Sequence, residues 1–556
     1  MDIVRHMKWW GWGEEGVSFQ HKDKPTFAAF VKSAIDIDVS LGPEPVQDLA
    51  QMEVPPANAP SQLISELQRI VGIPHVRQES LDRVVHAYGK GLRDLVRIRR
   101  GDFGRLPDVV VYPSCDNEVL EIVNAALSAN AVLVPFGGGT NIAGSLEAPR
   151  NENRPVISVD MGRMNRVLEI DEVSRLARIQ CGALGPEIEH QLNPRGWTMG
   201  HFPDSFNHST LGGWIATRSS GMQSDKYGDI ADLTRAIRVV TPAAGVLVTR
   251  PVPSASTGPS VREMILGSEG RLGIITEATV QVHRIPERRR IYAYLFPDWK
   301  AGLQAMTSIA ESDASPSVTR ISDSNETRFY FATKKREGVI ARSKSALSKL
   351  YLQNIKRFDL TAMCLSFIGY EGSNQHVDRQ KLIVDEIVSR HGGMCVGTGP
   401  GELYDQKKFD TPYVRDFLLD RGALADVSET SAPWAHLEPL YNGTIRRADE
   451  AFDRIGVKGY IMCHLAHSYH AGACLYFTFA FRPASGRAAL EQYDIVKTGI
   501  QQAFVDLGGT LSHHHAVGVE HARWLSQDIS PAGTAMIQTL FTGMDPGRNF
   551  NPGKIV

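Results

Sequence analysis

Three consecutive histidines, His513, His514 and His515, stand inside the glycine-bounded run 508–518. Imidazole is the side chain whose ordinary pKa lets it trade protons near neutrality, and it is also a common metal ligand. Read as a strand, the run alternates faces, with His513 and His515 on one side and His514 on the other. One ion cannot then reach all three, and no His-x-x-x-His or Cys-x-x-Cys pattern accompanies them. The expectation is an acid/base wall without a metal, provided another part of the chain brings a reactive group against it.

Three glycine-rich segments are candidates for holding that group. Pro135, Phe136, Gly137, Gly138, Gly139, Thr140 and Asn141 follow directly on a strand pattern over 131–136. Glycines permit positive φ and close backbone approach, so successive N–H groups can form a concave nest for an anion such as a diphosphate. Farther along come Pro203, Asp204, Ser205, Phe206, Asn207, His208 and Ser209, and then Ala216, Thr217, Arg218 and Ser219. The third segment is Glu269, Gly270, Arg271, Leu272, Gly273, Ile274 and Ile275, which runs into a strand. Neither of the last two fits a P-loop or a Gly-x-Gly-x-x-Gly fingerprint. Small residues there leave room for a flat, extended cofactor.

The elements that must position these segments follow from hydrophobic periodicity. Residues 1–101 begin with Trp9, Trp10 and Trp12, read as a packing anchor. A Pro-rich connector follows near 55–60, and then helical patterns over 63–70 and 80–90. From 102 short strands alternate with helices: strands over 109–112, 131–136, 156–159, 166–170, 176–180, 236–240 and 274–283, helices over 117–129, 186–192 and 211–219. Beyond 288 a second pattern predicts an antiparallel sheet with helices on one face. Its strands are 291–296, 362–370, 460–467 and 473–481, and its helices 299–311, 378–391 and 490–507. A C-terminal segment over 520–556 reads as helical, then turn-rich. The class is α+β with strands of mixed orientation.

The bulk numbers bound the function. The chain has 556 residues, 42% of them hydrophobic and 22% charged, enough for a large core. A net charge of -2 offers no global attraction to nucleic acid. Six cysteines without motif spacing read as reduced thiols of a cytoplasmic protein. No signal peptide, membrane-spanning run or C-terminal peroxisomal Ser-Lys-Leu address is expected.

The glycine segments, in this order and with the closing Asn551-Pro-Gly-Lys554, resemble the FAD-binding domain of the vanillyl-alcohol oxidase/PCMH-type flavoproteins. The resemblance implies an FAD domain over 102–287, a cap over 288–519 that holds substrate, and helical segments over 1–101 and 520–556. Met7-Lys-Trp-Trp-Gly-Trp-Gly13, Ser428-Glu-Thr-Ser-Ala-Pro-Trp434, the stretch 468–476 and the histidine run are similar to the alkyldihydroxyacetonephosphate synthase family.

That resemblance implies a redox-neutral flavin reaction of ether-lipid synthesis. The flavin N5 displaces the fatty acid of acyl-dihydroxyacetone phosphate, and the adduct then accepts a long-chain fatty alcohol. It implies Tyr469 as an acid/base, Arg415 as a substrate-binding cation, Arg320 as an arginine needed for activity, and His513, His514 and His515 as the acid/base run, with His515 favoured for proton transfer. The family has Tyr-Asp-Ala-Gly where this chain has Tyr469-His470-Ala-Gly472, so an imidazole replaces a carboxylate beside the tyrosine. On the same scaffold the alternative is an FAD-linked oxidase or dehydrogenase of a 2-hydroxy acid. A homodimer is expected. Residues 334–357 hold eight basic side chains and one acid with apolar residues on one helical face, a candidate for peripheral membrane contact.

Overall fold

A computed structural model describes residues 4–243, 245–335 and 358–556. The proposed membrane-contact segment therefore lies outside the described residues, apart from Lys334 and Lys335. Among the described residues no helix is long and apolar enough to cross a membrane.

Two sheets form the part that carries the glycine loops. In the first, Val109–Val111, Val156–Asp160 and Val132–Phe136 run parallel in that order, with Val76–Arg77 antiparallel at one edge. The central strand Val156–Asp160 is buried at every position, as a parallel strand covered on both faces must be. Helices Ser61–Val71 and Asp116–Ser128 supply one cover, through Leu63, Leu67, Val119, Ile122 and Val123. The second sheet is antiparallel, in the order Val167–Asp171, Leu176–Gln180, Ile274–Gln281, Thr234–Thr241, Gly245–Val248. The C-terminus returns here, where Phe550 bridges Leu133. The helical pattern over 80–90 breaks at Val85, and Leu92–Ile98 forms a separate helix.

A seven-stranded antiparallel sheet forms the cap. Its order is Met394–Gly397, Arg288–Phe296, Cys364–Gly372, Val318–Ser322, Gly459–Ser468, Gly472–Phe481, Leu424–Pro433. Side-chain alternation divides its faces. Ile461, Cys463, Leu465, Leu475, Phe477 and Phe481 pack under helices that include Trp434–Ile455 and Ala489–Asp506. Met462, His464, Ala466, Tyr476, Thr478 and Ala480 point the other way, into a cleft shared with the glycine loops.

The N-terminal strap is clamped by a buried carboxylate. Asp160 meets His6 Nε2 at 2.7 Å and His86 Nε2 at 2.8 Å. Burial opposes a charge on His6, but the hydrogen bond and charge of Asp160 outweigh it and raise its pKa. A raised folded pKa adds stability below the unfolded value, lost as pH climbs through the folded one. We expect His6→Ala to cost about 1.5–3 kcal/mol, the range for a hydrogen bond to a charged group. The loss should be larger near about pH 6 than near about pH 8, as urea unfolding at the two values would show.

Candidate active site

The first glycine loop is held by contacts that admit no side chain. A Cβ on Gly138 would lie 1.6 Å from the carbonyl oxygen of His208, and Gly139 has φ +66. The turn thus seats directly on residues 208–210. Pro135 to Asn141 all line the cleft, with Pro203, Asp204, Ser205, Ser209, Ala216, Thr217, Ser219, Glu269, Gly270, Gly273, Ile274 and Ile275.

Six residues expected at the cofactor do not line it. Phe206 stacks on Phe409 at 5.6 Å, Arg218 pairs with Glu263 at 3.1 Å, and Arg271 lies over the Phe541 ring at 4.8 Å. Leu272 belongs to the core, the His208 ring packs on Trp12 at 5.7 Å, and Asn207 lies outside the cleft wall. Among the described residues, two that line the cleft carry buried polar atoms without a protein partner: His467 Nδ1 and Asn551 Oδ1. Orphaned buried polar groups are rare and costly, so this wall fits a polar cofactor such as FAD.

The histidine run is not a strand, which corrects the predicted alternation. Residues 513–515 form a bend around the carboxylate of Glu429. That buried group accepts the backbone N–H groups of His513 (2.7 Å), His514 (3.1 Å) and His515 (3.0 Å) and the Ser512 hydroxyl (2.6 Å). Three consecutive N–H groups converging on one anion are a nest, and a nest excludes the extended backbone that alternation needs. Burial opposes the Glu429 charge, but His514, His515 and His513, with the Ser512 hydroxyl, hold its carboxyl well below the usual range. Glu269 secures the next turn, accepting from Val517 (2.9 Å) and Gly518 (3.0 Å).

The consequence is that His514 and His515 line the cleft, while His513 turns behind it to Tyr469. Burial lowers His514 to about 3 and His515 to about 4, so both rings are neutral, each with one unprotonated nitrogen.

Tyr469 begins the three-residue hairpin loop between Gly459–Ser468 and Gly472–Phe481. Its hydroxyl lies 2.7 Å from Asp229 Oδ2 and 2.6 Å from His513 Nε2. Burial, then the Asp229 charge, pushes the phenol far above its ordinary pKa. His470, the departure from the family pattern, sits exposed at the hairpin tip, where its carbonyl accepts from Trp434 Nε1. His467, at the end of the preceding strand, also lines the cleft. It holds φ 51 at a register shift between Ala466 and Ser468, and its ring stacks on His513 at 5.3 Å. A bulky residue at positive φ is a strained conformation of the kind that gathers at functional sites.

The two arginines also face the cleft. Arg320 is tied to Glu326 at 2.9 Å and His464 at 3.1 Å. Arg415 holds Asp416 with Nε and Nη2, at 3.1 and 2.8 Å, and gives Nη1 to the Lys90 carbonyl.

Sequence patterns missed the second region of the cleft. Helix Phe27–Ile35 lines it with Phe27, Phe30, Val31, Ala34 and Ile35, opposite Phe329, Val414 and Leu418. Glu429 and Asp229 were missed too.

Residues 107–250 match the family model described as FAD binding domain, and residues 285–555 match FAD linked oxidases, C-terminal domain. An alkyldihydroxyacetonephosphate synthase of Dictyostelium discoideum is 37% identical, covering 100% of this chain and 94% of the relative. A solved structure of an alkyldihydroxyacetonephosphate synthase is 35% identical with a TM-score of 0.86, covering 99% of both chains. At 14% identity, a solved p-cresol methylhydroxylase has a TM-score of 0.65 over 89% of this chain and 96% of its own, which shows the shared fold. The protein has the two-part PCMH-type fold, its cofactor is FAD, and the chain belongs to the alkyldihydroxyacetonephosphate synthase family.

Proposed function

We propose that this enzyme exchanges the acyl chain of acyl-dihydroxyacetone phosphate for a long-chain fatty alcohol. The observation that carries this reading is a single cleft that combines glycine loops, a histidine wall and an apolar region formed by Phe27, Phe30, Val31, Ala34 and Ile35 of helix Phe27–Ile35. Each methylene buried there gains about 0.8 kcal/mol, which suits an alkyl chain better than a small 2-hydroxy acid. FAD, when bound, supplies N5 as the nucleophile toward the ester-bearing carbon.

This chain's residues supply proton traffic and charge. A neutral His514 or His515 takes the proton lost from substrate or alcohol, which any exchange of two oxygen-linked chains requires. Tyr469 keeps its proton; its hydroxyl lies behind the cleft wall, where it donates to Asp229 and acts on the reaction through His513. Arg320 and Arg415 provide positive charge for the phosphate. The same lipid substrates make a membrane contact through 334–357 part of the proposal, together with a homodimer.

The test is anaerobic incubation of the purified holoenzyme with acyl-dihydroxyacetone phosphate and hexadecanol, without electron acceptor. Alkyl product is expected, and Tyr469→Phe should lower its rate by about 10²-fold or more while FAD stays bound. Bleaching of the flavin by lactate or glycolate, with no alkyl product, would replace this reading by the oxidase.

A further inference from the structure

Asp229 opens the short helix Ile230–Leu233, where its N–H donates to Asp232 Oδ2 at 2.9 Å and its carbonyl accepts from the Asp232 N–H at 2.9 Å. That fixes its position independently of the cap. From the cap, Tyr469 and His467 of the hairpin and His513 of the nested loop converge on it, and from its own side Ser220 and Asp225. The hydroxyls of Tyr469, at 2.7 Å, and Ser220 donate to its carboxylate, and hydrogen bonds to the charged form keep that carboxylate ionised.

The proton positions follow from counting. A phenol carries one proton. Given to the ionised Asp229, it leaves the Tyr469 oxygen as an acceptor, so His513 Nε2 must be the donor across their 2.6 Å contact. In a neutral ring His513 Nδ1 is then bare, and it accepts from His514 Nδ1 at 2.9 Å. His514 is left with its Nε2 lone pair, on a ring that lines the cleft.

We propose that Asp229 is the positioning residue of this site, orienting the chain Tyr469–His513–His514 so that His514 meets the cleft as a proton acceptor. An uncharged amide at position 229 lets the chain reverse. Its NH₂ donates to the phenol oxygen, Tyr469 donates to His513 Nε2, His513 Nδ1 donates to His514 Nδ1, and His514 presents an N–H to the cleft. Every contact survives, but the base is lost.

The proposal rests on the exchange reading for its kinetic arm and has a second arm that does not. In Asp229→Asn holoenzyme, kcat for exchange should fall at least about tenfold, with KM within about twofold and FAD content unchanged, since general acid–base groups contribute about 10²–10⁴. Asp229→Glu should recover part of the rate. In parallel, ¹⁵N NMR of histidine-labelled protein, with His514 assigned through His514→Ala, reads which of its ring nitrogens carries the proton. At neutral pH His514 Nε2 should resonate as an unprotonated nitrogen in the wild type and as a protonated one in Asp229→Asn. An unchanged His514 tautomer in Asp229→Asn would overturn the proposal, as would a wild-type kcat. If Asp229→Asn loses FAD, Asp229→Ala takes its place, since a wild-type rate or tautomer there would equally overturn it. A wild type that catalyses no exchange, yet shows the tautomer change in the variant, sinks the functional reading and leaves the positioning intact.

Discussion

Gly138→Ala is expected to yield protein purified without flavin. The added methyl would stand 1.6 Å from the His208 carbonyl oxygen and 2.7 Å from its carbon, both backbone atoms. No rotamer can relieve a clash between two main chains, so one loop must move. The neighbours of the displaced segment, Gly137 and Ser209 among them, belong to the cleft wall. Overpacking of this kind costs about 1–3 kcal/mol or more. Taken from cofactor affinity, about 3 kcal/mol is roughly a hundredfold. The ratio of flavin to protein absorbance after gel filtration measures the loss. A variant that retains a full complement of FAD would show that the loop does not form the cofactor wall.

Glu429→Gln should damage the opposite wall. Its carboxylate collects three backbone N–H groups and a hydroxyl, all charge-assisted. An amide can present only one oxygen, and its NH₂ would face donors. Hydrogen bonds to a charged group are worth about 1.5–3 kcal/mol each, so a loss of at least about 3 kcal/mol is expected. With the histidine bend released, exchange should drop by about 10²-fold or more. The pH dependence has a definite sign. A carboxyl whose folded pKa is depressed stabilises above its unfolded value, near about 4.3, and that contribution fades as pH falls toward the folded value. The stability gap between wild type and Glu429→Gln should therefore be level near neutrality and narrow below about pH 4.3. A gap independent of pH across that window would assign the effect to packing.

Much of the frame was legible because local rules set it. Strands such as Leu176–Gln180 and the helix Trp299–Glu311 match their patterns to the residue, each being a periodic run with clear ends. Asp298 caps that helix by accepting from Ala301, a signal visible in sequence. The histidine run failed for the reverse reason. Its backbone answers to Glu429, some 80 residues earlier, whose buried charge outweighs any propensity for extension. Helix Phe27–Ile35 went unseen because nine residues are too short a run to fix a period, and its partners Phe417 and Leu418 are remote in the chain.

By itself the sequence determined the cofactor-holding frame. Glycines at turns and small residues beside them answer to steric limits that act within a few bonds. The tertiary structure alone decided which histidines meet the cleft and which acid governs the tyrosine. His513 faces Tyr469, and His514 and His515 face the cavity, because two buried carboxylates, Glu429 and Glu269, draw the loop's N–H groups into a fixed bend. Asp229 reaches Tyr469 across 240 residues of chain. Such choices belong to charges that folding moves out of water, where an unsatisfied partner is too costly to leave unpaired.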